Sequence, residues 1–160
     1  MRLQALCLLA AVSLLAACSS APKNAGGGQS AAQVAPAQTG VRPGSQDDLN
    51  QTAGNRVFFA FDKSDINAEG KATLEKQAEW LKKYPNVTVT VQGNCDPRGT
   101  REYNLALGER RANAAKNAPV ALGIPASRVS TISYGKERPA IVGDNDAAYA
   151  QDRRDETVVN

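Results

Sequence analysis

From Asn55 onward, the apolar residues of this chain fall into two rhythms that take turns. Val57, Phe59 and Phe61 lie two apart, which puts them on one face of an extended strand over residues 56–61. Leu74, Ala78 and Leu81 then recur at helical spacing. Asn67 offers that helix an N-cap, Glu69 suits its first turn, Lys82 and Lys83 suit its last, and Pro85 stops it. Val87, Val89 and Val91 return to the two-residue rhythm of a second strand. A turn-rich loop over residues 93–99 leads into a second helix, expected to run from Thr100 to Asn117. Residues 129–134 read as a third strand, a short helix lies near Ala147, and residues 156–159 read as the final strand. The order β-α-β-α-β, closed by a short helix and a last strand, predicts an α/β (α+β) fold in which helices pack on a small mixed sheet. No internal repeat is present.

Upstream of Asn55 neither rhythm holds. Arg2 is followed by an apolar run over residues 3–15 and then by small residues. The run falls short of the roughly 20 residues that span a bilayer, so it reads as the core of a secretory signal, and residues 1–17 are set aside from the fold. Leu15-Ala16-Ala17-Cys18 resembles the lipobox of bacterial lipoproteins, in which the cysteine is acylated and becomes the mature N-terminus. More than one acyl chain anchors stably where a single chain does not. Ser19 follows in place of the Asp that, in such lipoproteins, goes with inner-membrane retention, so the resemblance implies a lipid anchor on Cys18 on the periplasmic side of the outer membrane. Residues 19–53 are rich in Ala, Gly, Ser, Gln and Pro and too poor in apolar surface to offset their ordering entropy. Residues 18–54 are therefore expected to form a flexible tether reaching ~30–35 Å, with the folded domain over residues 55–160.

Composition narrows the chemistry. The chain carries 19 Lys and Arg against 16 Asp and Glu, without basic blocks, which argues against nucleic acid as its ligand. Histidine is absent, which removes the commonest general base and the commonest metal ligand. Cys7, Cys18 and Cys95 have neither disulfide-framework nor metal-pair spacing, and Cys95 without a base beside it reads as an inert small residue. No cofactor or metal is expected, and no nucleophile–base arrangement of the serine- or cysteine-hydrolase kind is possible. The carboxylates Asp144 and Asp146 stand on a polar loop and read as solvated.

One constellation remains. Asn104, Leu107 and Arg111 are spaced by three and four residues, so they share a helix face, and Asp96 lies in the loop that feeds this helix. A carboxylate beside a guanidinium complements a zwitterionic amino-acid end, the acid taking the ammonium and the guanidinium taking the carboxylate through two parallel hydrogen bonds. Spacing alone equally allows a surface salt bridge or an Asp that closes a turn.

The stretch Gly93-Asn94-Cys95-Asp96-Pro97-Arg98-Gly99-Thr100, followed by Glu102-Tyr103-Asn104 and Leu107-Gly108-Glu109-Arg110-Arg111-Ala112, resembles the OmpA-like peptidoglycan-binding domain family. Residues 59–66, 133–139 and 147–154 add further matches, so the resemblance covers the chain from about residue 56 to the C-terminus. It implies a non-catalytic domain that binds the meso-diaminopimelate end of the peptidoglycan stem peptide. Asp96 matches the family's acid for the ligand ammonium, and Arg111 its base for the ligand carboxylate. Asp62 matches a polar residue that touches the peptide, Asn104 a supporting hydrogen-bonding residue, and Arg153 the first Arg of a motif bordering the groove, while Leu107 shares the helix face between them. For lipoproteins with this domain, the resemblance also implies a periplasmic propeller partner, TolB, in a Tol–Pal-type system that serves envelope integrity and cell division. Two other readings stay open: a related wall-binding lipoprotein with a different partner, and an envelope enzyme.

Four departures from the family pattern bear on stability. Ala118-Pro119 stands near the end of the second helix, which is expected to stop at about Asn117 because a Pro in a helix interior costs roughly 3 kcal/mol. Asp152 precedes Arg153, where it is expected to compete for that guanidinium. Asp155-Glu156 enters the last strand, where two carboxylates are costly if buried. The loop Asn94-Cys95-Asp96-Pro97 lacks the second acid that usually follows the first.

Overall fold

The computed structural model describes residues 40–160. The expected signal peptide, the lipidated Cys18 and the tether up to residue 39 lie outside them. Eight regular elements follow: α1 (Gln46–Thr52), β1 (Arg56–Phe58), α2 (Ala68–Lys83), β2 (Val89–Asn94), α3 (Arg101–Ala121), β3 (Val129–Gly135), α4 (Asp146–Asp152) and β4 (Arg154–Val159), with one short 3-10 turn, Ala126–Arg128, ahead of β3.

The four strands form one mixed sheet in the order β1-β4-β2-β3. The last strand is inserted between the first two and runs antiparallel to both, while β2 and β3 are parallel. A parallel pair needs a long crossover, and α3 supplies it. Val57, Val89, Val91 and Val129 face the helices and are buried with Leu74, Ala78 and Leu81 of α2 and Ala112 and Ala115 of α3. The opposite face carries Ser130 and Ile132, both exposed, with Thr90 and Gln92 half-buried. This alternation is what a sheet covered on one side requires.

The N-cap read from sequence for the first long helix operates as expected, and the second helix has a cap of the same kind in Thr100, expected as its first residue. The side chain of Asn67 accepts from the Gly70 amide, and that of Thr100 from the Tyr103 amide. Past Pro85, the Arg128 guanidinium donates to the carbonyls of Leu81 in the last turn of α2 and of Tyr84 and Val87 beyond it, tying the helix end to the loop before β2. Between β2 and α3, main chain meets main chain: a Cβ on Gly93 would lie 2.0 Å from the Gly108 carbonyl oxygen.

Four sequence expectations need correction. The folded unit begins before Asn55: α1 is capped by Ser45, its Leu49 is 0% exposed in the core, and Gln46 exchanges hydrogen bonds with Thr157 and Val159 of β4. Residues 40–54 are thus part of the domain and not of the tether, because buried Leu49 and Ala53 and a set of polar contacts hold them although the segment is mostly polar. The first strand ends at Phe58, and Phe61 leaves the core face to stand 57% exposed, since the chain turns through Ala60–Lys63 with Asp62 at φ 58°. Helix α3 continues through Pro119 to Ala121, because the missing amide falls in its last turn and the Pro119 carbonyl still accepts from Leu122 and Ile124. Finally, β4 starts two residues earlier than read, at Arg154.

Candidate functional site

Three chain segments meet at one end of the sheet. The turn after β1 brings Phe61 and Asp62, the loop after β2 brings Cys95, Asp96 and Arg98, and α3 presents Tyr103, Asn104, Leu107 and Arg111 along one face. Arg153, at the junction of α4 and β4, closes the fourth side. Together they line a groove of about 180 Å³, and all six binding residues predicted from sequence (Asp62, Asp96, Asn104, Leu107, Arg111 and Arg153) lie along it.

The loop that carries Asp96 is pinned from several directions. Gly99 takes a left-handed φ of 86°, turning the chain into α3. The Asn104 amide nitrogen donates to the carbonyls of Arg98 and Thr100, and the Lys136 ammonium donates to those of Pro97 and Gly99. Asn104 is therefore a brace of the loop. Leu107 supplies an apolar wall, and the Tyr103 hydroxyl donates to the Asp62 carboxylate at the rim.

Asp96 is buried, yet both of its oxygens are engaged. Arg98 donates from Nη2 to Oδ2 at 2.6 Å and from Nε to Oδ1 at 3.3 Å, and Arg153 Nη1 reaches Oδ2 at 3.3 Å. Burial pushes its carboxyl pKa up, but the hydrogen bonds from Arg98 and Arg153 outweigh this and hold it below the usual carboxylate range. The Arg98 guanidinium is itself stacked, 4.0 Å from the Phe61 ring centre and 4.8 Å from that of Tyr149.

Arg111 departs from its expected geometry. It is 0% exposed and forms the floor of the groove. Its Nε donates to the Lys63 carbonyl (2.7 Å), Nη1 to the Asn94 carbonyl (3.0 Å) and to Cys95 Sγ (3.5 Å), and Nη2 to the Ala60 carbonyl (3.2 Å). Four hydrogen bonds leave one of the five guanidinium N–H groups, so the pair of parallel donors expected for a carboxylate is not on offer. What Arg111 gives the groove is a buried positive charge held by carbonyl dipoles, together with a tie among the turn after β1, the loop after β2 and α3.

Two further expectations change. Asp152 does not draw Arg153 away: it is buried and accepts from the amides of Ala140 and Ile141, while Arg153 holds Asp96 and the Phe59 carbonyl. The acids of β4 part company. Glu156 meets Arg56 and Arg154, each at 2.9 Å, on the outer face, whereas Asp155 is buried. Cys95 is buried, as an inert residue should be, and burial pushes its thiol up to about 11.

Sequence reasoning passed over Arg98 and the two rings that clamp it. The available signal was local: a basic residue two positions after the acid, on a Pro-Arg-Gly turn. The stacking partner Phe61 was assigned instead to the core face of the first strand.

The OmpA family model matches residues 58–153, a span containing the whole groove. Among curated proteins, the chain is 51% identical over 117 residues to the peptidoglycan-associated lipoprotein of Rhizobium meliloti strain 1021, covering 73% of this chain and 66% of that protein. It is 42% identical over 151 residues to the protein of the same name from Haemophilus influenzae, covering 94% of each. Among solved structures, the peptidoglycan-associated lipoprotein of Burkholderia pseudomallei superposes with a TM-score of 0.65 at 40% identity, covering 66% of this chain and 90% of that one.

Proposed function

This chain belongs to the OmpA family, and from that premise we propose that it is a non-catalytic lipoprotein of the cell envelope that binds peptidoglycan. Its ligand is the stem peptide, gripped by the free zwitterionic end of meso-diaminopimelate. Acylated Cys18 holds it to the outer membrane on the periplasmic side, so that binding ties membrane to wall. Its protein partner is a TolB-type periplasmic propeller, which gives it a part in envelope integrity and cell division.

The observation that carries this reading is the meeting, in one groove, of a buried acid and a buried base from separate elements: Asp96 after β2 and Arg111 in α3. The ammonium of the ligand goes to Asp96. A carboxylate has about four acceptor positions, so Asp96 can take the ammonium while keeping part of its bonding to Arg98 and Arg153. The carboxylate of the ligand goes over the floor, drawn by the Arg111 charge and its remaining N–H. Leu107 and Phe61 supply apolar walls for the aliphatic chain between the two ends.

Calorimetric titration of the chain with a stem peptide ending in meso-diaminopimelate tests the reading. A hydrogen bond to a charged group is worth about 1.5–3 kcal/mol, so Asp96→Asn is expected to weaken binding roughly 10- to 100-fold. Unchanged affinity in that variant removes Asp96 as the ammonium acceptor. Co-purification with the propeller protein from cells tests the partner, and incubation with purified sacculi is expected to release no soluble fragments.

A further inference from the structure

Beneath the groove lies a third carboxylate that the binding scheme leaves unused. Asp155 is the second residue of β4, paired with Val57 of β1 on one side and Gly93 of β2 on the other. It is 2% exposed, and neither of its oxygens has a hydrogen-bond partner among the described residues. Because Gly93 has no side chain, the space over the sheet here belongs to Asp155 and to what α3 sends down.

The titratable groups around it are few. From α3 comes Arg111, whose charge and that of Asp155 act on each other. From the loop after β2 comes Cys95, and Arg153 lies two residues back along the chain. On β1 the buried neighbour is Val57, with Phe59 buried just past the strand, while Arg56 lies outside with Glu156. The buried residues of α2 include no titratable group. Burial pushes the Asp155 carboxyl well above the usual carboxylate range, and the Arg111 guanidinium only partly offsets this.

Charge balance points to a use for this group. Asp62, Asp96 and Asp155 face Arg98, Arg111 and Arg153 in and under the groove, three charges of each sign if every group is ionised. With Asp155 neutral, Arg111 loses its buried counter-charge, and the ligand carboxylate supplies one while the ligand ammonium is taken by Asp96. We propose that Asp155 is a positioning residue for the ligand carboxylate, taking up a proton as that carboxylate settles over Arg111 and leaving the guanidinium to the ligand alone. This rests on the reading that a zwitterionic end occupies the groove.

The proton comes from solvent, adds to an Asp155 oxygen and breaks no bond. A ligand carboxylate nearby makes the charged form of Asp155 harder to hold, so its pKa is higher in the complex than in the free protein. Affinity is then greatest below the free-protein pKa and falls as pH rises from that value to the value in the complex, by at most about tenfold per pH unit.

The test is titration of the full chain with the meso-diaminopimelate stem peptide in two buffers of different ionisation enthalpy, over a wide range of pH. The wild type is expected to take up a fraction of a proton per peptide bound and to lose affinity as pH rises through the Asp155 transition. Asp155→Asn, a permanently neutral isostere, is expected to keep the low-pH affinity of the wild type at every pH, without proton uptake. Asp155→Val guards against misfolding of the first variant and is expected to abolish the uptake as well. Binding by the wild type without proton uptake overturns the coupling, as does uptake that survives in either variant. Absence of binding heat in both buffers overturns the underlying ligand reading, and the coupling falls with it.

Discussion

Asp96 is already occupied before any ligand arrives. Its oxygens are shared by two guanidinium groups, one of them clamped between aromatic rings, so any incoming ammonium competes with Arg98 for the same atoms. The pairing also has a pH signature. Because the folded-state pKa of Asp96 is depressed, the stability it contributes is present above the ordinary carboxylate pKa and is lost as pH falls through the folded value. In Arg98→Ala, where the first of the opposing hydrogen bonds is gone, the Asp96 pKa is expected to rise; a carboxyl NMR titration reads this directly, and an unmoved pKa would assign the whole depression to Arg153. At this scale the sequence was partly legible. The acid, the base and the helix face between them stood out through spacing and resemblance, and all line the groove. The role of Arg111 as a buried brace was not legible, because its partners are backbone carbonyls up to 51 residues away in the chain, which no side-chain pattern records. The burial of Asp155 was equally hidden, since a strand read as starting at residue 156 does not say which of two adjacent acids points inward.

Helix α3 carries more of the site than any other element, and it tolerates a residue that should end it. Pro119 sits inside the helix two residues before its last, and its missing N–H removes the bond to the carbonyl four residues back. Pro119→Ala is expected to raise the free energy of unfolding by about 1–3 kcal/mol without altering the groove, as measured by denaturant titration beside a binding assay. No gain would mean that the buried ring contributes packing equal to the bond it removes. The general penalty for proline was read correctly, but the place where it is felt depends on how the chain continues. Here the amides of Leu122 and Ile124 return to Pro119 and complete the turn. The missed α1 has a similar origin. A seven-residue helix with one buried apolar side chain has no periodicity to detect, and Ser45 ahead of two acids was the single available sign.

For the molecule as a whole, the consequence of α1 is that the domain is larger than its repeating hydrophobic pattern. Leu49 fills the end of the core against α2, Asp48 accepts from the Trp80 indole, and Gln46 clips the edge of β4. Leu49→Ala is expected to cost about 2–5 kcal/mol in thermal or denaturant unfolding, and a chain starting at Asn55 to lose at least as much. Equal stability of the short and long chains would return residues 40–54 to the tether. Element order was readable because each segment declares its own period. The insertion of β4 between β1 and β2 was not, because strand pairing joins residues about a hundred positions apart and leaves no local trace. The near-touching main chains of Gly93 and Gly108 have one more implication. They lock the strand that leads to Asp96 against the helix that holds Arg111, with no pliable side chain between, so the acid and the base form the jaws of a caliper of fixed gauge. On the proposed reading such a tool measures its object: an amine with a carboxylate one carbon away is expected to fit both jaws, whereas a lysine side chain in the same wall, bearing the amine alone, is expected to touch one and slip.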